Sequence, residues 1–296
     1  MANPRTYEQM QEDLLLRKAI EIVPVDGDDK KFRLTCEYPL KEGVNLTYLY
    51  DVKRSNRPMA AASSLSLRRK LEREGKLQSF HDKVTEGVSK GQYRLITPAV
   101  EEEFTGLPQS FQLVNYVCKD TSATTKIRVV SNSSVARSGG SFNDNCLQGS
   151  CLLNNSLDVL NGFNVWGYAF LTDISEAYRT IQTGPITNSC RRFCWFGDPK
   201  DPNSIKDYHL TCANWGDRPA GNILAQGLSV VASDPETPPI VADFVGKSFY
   251  VDDGGRSDKT IAELEELVAK LHPSMGKYGF QLKHILRSYA KNIDGG

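Results

Sequence analysis

The sequence predicts an α+β fold in which an antiparallel sheet carries helices on one face, and three stretches support this. In the first, residues 248–255 (Ser-Phe-Tyr-Val-Asp-Asp-Gly-Gly), Phe249 and Val251 read as one face of a strand and Tyr250 as the other. Gly254 and Gly255 permit a positive-φ turn that returns the chain as a hairpin, leaving Asp252 and Asp253 at a strand end. In the second, residues 165–178, an apolar strand delivers Asp173 at its C-terminal end, followed by the helix start Ser175-Glu176-Ala177-Tyr178. The third, residues 259–271, places Ile261, Leu264, Leu267, Val268 and Leu271 on one helical stripe. Gly276 ends that helix, and residues 279–283 read as a closing strand.

Residues 1–30 open with a helix-like stretch over 14–20, break at Pro24 and Asp26-Gly27, and read as a lead-in. Residues 32–38 alternate as a strand that Pro39 ends. Residues 60–88 are helical in pattern, with Leu65, Leu67, Leu71, Leu77, Phe80 and Val84 as the apolar stripe. The opposite face carries Arg68, Arg69, Lys70, Arg73 and Lys76 beside Glu72 and Glu74, with Arg54 and Arg57 just upstream. Such a face is either solvated or a surface for a nucleic-acid backbone. Residues 111–118 and 125–131 form a hairpin with a polar tip, and 131–155 is a Ser/Asn/Gly-rich loop. A short helix follows at 157–163, then strand-like runs at 186–196 and 208–213 flanking a polar turn. Residues 216–225 enter a further helix with Pro219 in its first turn.

With 296 residues, 40% of them hydrophobic, the chain can build one large domain or two subdomains. Its 24% charged residues balance to a formal net charge of zero, so any grip on a polyanion must be local. The sequence lacks an apolar run of membrane-spanning length and a signal-peptide pattern, and the expectation is an intracellular protein, cytoplasmic or nuclear. Seven cysteines, an odd number, argue against a disulfide framework. Cys146-x₄-Cys151 and Cys190-x₃-Cys194 are separated by loops too long to favour zinc, so free thiols are expected.

Asp-Asp-Gly-Gly is by itself an ordinary solvated turn as much as a site. If the strands ending at Asp173 and Asp252 are neighbours, however, three carboxylates gather in a way that suits hard divalent ions. Residues 249–253 (Phe-Tyr-Val-Asp-Asp) resemble the Tyr-X-Asp-Asp box of reverse transcriptases, and residues 172–178 (Thr-Asp-Ile-Ser-Glu-Ala-Tyr) resemble their first aspartate motif. With residues 126–132 (Lys-Ile-Arg-Val-Val-Ser-Asn) and 215–221 (Trp-Gly-Asp-Arg-Pro-Ala-Gly), the order and spacing are most similar to polymerases of Pao/BEL-type LTR retrotransposons.

That resemblance implies the fingers and palm of a right-hand polymerase. Residues 31–158 would be fingers, 159–181 palm, 182–213 a return into the fingers, and 214–296 palm. The thumb is absent, with primer grip, thumb and RNase H expected further along the same polyprotein. It implies RNA-directed DNA polymerase activity on a primed RNA or DNA template with dNTPs, by nucleotidyl transfer with two Mg²⁺ ions, Mn²⁺ being a possible substitute. Asp173, Asp252 and Asp253 would hold the ions, joined by the Ile174 carbonyl. Tyr178 would lie under the sugar and exclude a 2′-hydroxyl, although an aromatic there also suits a core. Arg128, with Lys119 or else Lys126, would clamp the triphosphate, and Gly216 and Pro219 would wall the pocket. Arg54, Arg57, Arg68, Arg69 and Arg73 would contact nucleic acid. Two departures are Asn132, where the family carries Asp, and the short gap from Gly216 to Pro219. They leave open a catalytically silent, domesticated nucleic-acid-binding module, as well as an RNA-dependent RNA polymerase, and activity of this stretch alone is expected to be weak.

Overall fold

A computed structural model describes residues 6–41, 55–118, 127–135 and 140–289. Twelve strands lie among them. They run β1 (Ile20–Val25), β2 (Asp28–Cys36), β3 (Tyr93–Leu95), β4 (Leu113–Cys118), β5 (Ile127–Asn132) and β6 (Tyr168–Asp173). The second half adds β7 (Gln182–Thr183), β8 (Arg192–Phe196), β9 (Ile205–Leu210), β10 (Phe249–Tyr250), β11 (Asp253–Asp258) and β12 (Leu286–Arg287). The chain divides into two interleaved units. One comprises 1–36, 148–182 and 219–296, the other 37–147 and 183–218.

The first unit holds a four-stranded sheet in the order β10-β11-β6-β12, with all three pairings antiparallel. Phe170 of β6 stacks on Phe244 of helix Pro239–Lys247 (ring centroids 5.3 Å apart), and Phe244 meets Phe249 of β10 (5.2 Å). Aromatic contacts of this kind add about 0.5–1.5 kcal/mol each beyond the area they bury. They tie β6, which carries Asp173, and β10, which leads into Asp252, to one helix. Helix Ile261–Gly276 starts at Thr260, whose hydroxyl accepts from the Glu263 N–H, and buries Leu264, Leu267, Val268 and Leu271 as the stripe predicts. Residues 7–36, read as lead-in and strand, form helix Tyr7–Lys18 and the β1-β2 hairpin. Leu16 and Leu34 are wholly buried.

The second unit packs helices Arg57–Arg73 and Leu77–Ser89 over β3-β9-β8 and the β4-β5 hairpin. The helical pattern of 60–88 is thus two helices. Gly75 takes φ +66°, and the Lys76 N–H reaches back to the Leu71 carbonyl (2.8 Å), a Schellman-type stop.

Three other expectations change. Residues 185–189 form a short helix rather than the start of a strand, because Pro185 occupies its first turn and the Glu37 carboxylate accepts from the Ile186 and Thr187 N–H groups (2.9 Å each). The chain after Asp173 enters a 3-10 turn, Ala177–Thr180, through Glu176 at φ +49° instead of an α-helix. The closing strand is β12; residues 279–283 contribute a single bridge, Ile174 to Leu282.

Candidate active site

Asp173 ends β6 and Asp253 begins β11, and the two are direct cross-strand partners. In antiparallel pairs that register sets Cβ atoms about 4.5–5.5 Å apart. Between β10 and β11 lies a two-residue turn, Val251-Asp252, closed by the Tyr250–Asp253 pair. The Ile174 N–H donates to the Asp252 carbonyl (2.9 Å), fastening this turn to the end of β6. The acids at 173, 252 and 253 therefore share one end of one sheet.

The turn is not made by the glycines. Val251 itself adopts φ +60°, a conformation that a β-branched residue enters only under strain of about 1–3 kcal/mol. Gly254 and Gly255 stand inside β11, where a Cβ would meet the Phe249 ring at 2.7 Å and Leu171 and Phe163 at 2.8 and 3.0 Å. They are small so that apolar side chains can lie across the strand.

Burial, then the charges of Asp252 and Asp173, push the Asp253 carboxyl above its ordinary value, with Lys283 pulling the other way. Half-buried Tyr178 is raised by burial and then by Asp252 and Tyr250, which puts its phenol within electrostatic reach of the acids. Lys283 went unread in the sequence. Its ammonium donates to both Asp173 oxygens (2.8 and 3.0 Å), and its N–H donates to the Asp173 carbonyl (2.8 Å). The signal was a lysine inside a segment read only as a strand.

Among the described residues, no three His, Cys, Asp or Glu side chains converge closely enough to form a ready metal cage. The acids are neighbours rather than a converged set, since like charges splay and Lys283 draws Asp173 aside. The donor chemistry nevertheless fits a hard divalent ion, for Mg²⁺ takes one or two carboxylates and completes its shell with water and substrate phosphates. None of the seven cysteines, all of them described, forms a disulfide.

The remaining candidates lie elsewhere in the fold. In the second unit, Arg128 is exposed on β5 opposite Val117. Gly216 is exposed too, and a Cβ on it would stand 2.9 Å from the Ser131 carbonyl oxygen, so only glycine permits that approach. Asn132 accepts from the Ser134 N–H (2.9 Å), closing a local turn. In the first unit, Pro219 is the buried N-cap of helix Ala220–Ser233. Lys119, Lys126 and Arg54 lie outside the described residues. Two of the arginines assigned to nucleic acid also have partners within the fold. Arg57 binds Asp207 (2.6 Å), and Arg68 donates to the Pro199 and Lys200 carbonyls (2.7 and 3.1 Å). Arg69 and Arg73 are exposed.

No family model matches the chain, and no curated protein does. Solved structures do share its architecture, reverse transcriptases among them. One is the foamy viral protease-reverse transcriptase in complex with dsDNA, which matches at TM-score 0.50 and 16% identity over 69% of this chain and 36% of that one. A second structure, of the foamy viral protease-reverse transcriptase dRH in complex with ds DNA, gives 0.49 and 17% over 67% and 28%. The chain thus spans about a third of the length of these neighbours, and at 16% identity the likeness to the dsDNA complex establishes a reverse-transcriptase-like fold alone. Among the described residues, no helix is long and apolar enough to cross a membrane.

Proposed function

We propose that the chain is the fingers-palm portion of an RNA-directed DNA polymerase, of the Pao/BEL retrotransposon type that its motifs resemble, acting on a primed RNA or DNA template with dNTPs. The observation that carries this reading is the register of Asp173 against Asp253, with Asp252 held on a strained turn bonded to Ile174. Asp173, Asp252, Asp253 and the Ile174 carbonyl would hold two Mg²⁺ ions. When bound, Mg²⁺ lowers the pKa of an attacking hydroxyl and neutralises charge on a leaving pyrophosphate. The first unit's part is to hold three acids at one sheet end with Tyr178 within electrostatic reach of them as a sugar gate; in the second unit, Arg128 and Gly216 are the nucleotide contacts that the motif resemblance assigns.

A second reading, a silent nucleic-acid-binding module, draws on the Lys283–Asp173 ion pair and on Asn132. Primer extension separates the two. The polymerase reading expects Mg²⁺-dependent dNTP incorporation, weak and best at low salt, that Asp173→Asn and Asp252→Asn abolish. Nucleic-acid binding with no incorporation in Mg²⁺ or Mn²⁺ would establish the silent module instead.

A further inference from the structure

The loop from Asn214 to Arg218 holds a large aromatic side chain out in water on a backbone that is bonded on every side. Trp215 is 54% exposed. Beneath it, Asn214 Nδ2 donates to Ser131 Oγ (2.9 Å), Asn143 Nδ2 donates to the Gly216 carbonyl (3.0 Å), and the Arg218 N–H donates to Asn143 Oδ1 (2.9 Å). The Asp217 carboxylate accepts from Arg191 Nη1 (2.7 Å), the Tyr38 hydroxyl (3.0 Å) and Ser133 Oγ (2.5 Å). Arg191 and Asp217 are wholly buried side chains, and removing one member of such a pair strands the other charge. The loop is therefore fixed, and an indole kept exposed on it forgoes burial that a flat ligand would restore.

The chemistry beside the indole selects that ligand. Gly216 adds no side chain, and Arg218, three residues on, is exposed. Two cations, exposed Lys41 and Arg218, act on Asp144, whose carboxylate is already engaged by the Ser141 N–H and hydroxyl (2.8 and 2.7 Å). Asp217, buried beneath the loop, is neutralised by Arg191. An aromatic face beside unspent positive charge matches a base joined to a phosphate, since every base has a face to stack and the guanidinium fork fits phosphate oxygens.

We propose that Trp215 is a stacking platform for an unpaired nucleobase, with Arg218 receiving the adjoining phosphate. The inference deepens the polymerase reading and rests on it for the class of ligand. The base belongs either to a single strand or to a free nucleoside triphosphate.

The test uses the full chain in EDTA, so that binding is read apart from catalysis. Tryptophan fluorescence and anisotropy of a labelled probe follow titration with an eight-nucleotide oligo-dT, an abasic eight-mer of equal charge, and dTTP. Oligo-dT is expected to quench and the abasic strand not to. Trp215→Leu should lose the quenching and bind oligo-dT about five- to 150-fold more weakly, the loss expected for one base–aromatic stack. Trp215→Phe should keep most of the affinity, and Trp166→Leu, at the other exposed tryptophan, should change neither. Arg218→Gln should lower the log–log salt slope by about 0.7, one single-strand phosphate. Quenching by dTTP alone supports the platform with the free nucleotide as its source, and quenching by oligo-dT alone supports it with the strand. Equal affinity of the wild-type chain for oligo-dT and the abasic strand together with no quenching by dTTP overturns the proposal without any variant, as does a folded Trp215→Leu that binds both oligo-dT and dTTP as the wild-type chain does. Extension assays on the wild-type chain judge the polymerase reading separately, because the platform stands or falls in EDTA.

Discussion

Partial burial of Asp253, followed by the charges of Asp252 and Asp173, makes ionisation of this carboxyl harder in the folded chain than in the unfolded one. A raised folded pKa means the native state binds the proton more tightly, so this group's contribution to stability falls as pH rises through the window above the ordinary carboxylate value. Asp253→Asn is therefore expected to raise the urea midpoint at pH 7 and to lose that advantage as pH falls toward 4. A gain that does not shrink on acidification would mean that neither burial nor the neighbouring acids make Asp253 harder to ionise in the folded chain. His209 has the opposite sign. Burial lowers its pKa to about 4, and its Nδ1 lies 3.0 Å from the Leu210 carbonyl while its ring meets Phe104 edge-on. The unfolded chain takes up that proton first, so stability present above about pH 6.5 is lost as pH falls toward 4. The loss is at most about 3 kcal/mol. His209→Asn, which keeps a donor for Leu210, should flatten the denaturation midpoint between pH 7 and pH 5.

The β10-β11 hairpin shows how much of an element its own sequence can reveal. Strand, acid and return were legible, because an apolar run ending in Asp-Asp-Gly-Gly permits little else. The turn residues were not, since what forces Gly254 and Gly255 into the strand is the packing of Phe249, Leu171 and Phe163 against them. Long-range partners hid other features in the same way. Glu37 caps the helix at 185–189 across 149 residues, and Arg57 meets its carboxylate 150 residues away. The partners of Arg57 and Arg68 within the fold, Asp207 and the Pro199 and Lys200 carbonyls, are likewise invisible locally. With the turn falling on Val251, Val251→Gly should relieve strain and stabilise the chain by about 0.5–2 kcal/mol, the relief less glycine's entropic cost. If the strain fixes Asp252, primer extension should fall in the same variant. Unchanged extension with raised stability would show that the strain has no part in activity.

At the scale of the whole molecule, zero net charge and the engagement of Arg57 and Arg68 leave little long-range attraction for a polyanion. Binding of a primer–template is expected to be weak and to fall on a log–log plot by about 0.9 for each duplex phosphate contacted. Filter binding from 25 to 200 mM salt measures this, and salt-resistant binding would point to contacts that are not electrostatic. The interleaving of the two units also bears on how the chain is made. β6 carries Asp173, and its neighbours β11 and β12 both lie later in the sequence, with 80 residues separating Asp173 from its partner Asp253. At about 5–20 residues per second, a ribosome delivers that partner roughly 4–16 s afterwards. Residues 183–218, which complete the second unit, emerge in that interval. One unit can close around its core while the strand bearing Asp173 still waits with both edges open, and an unpaired strand of that kind is a template for pairing with another chain.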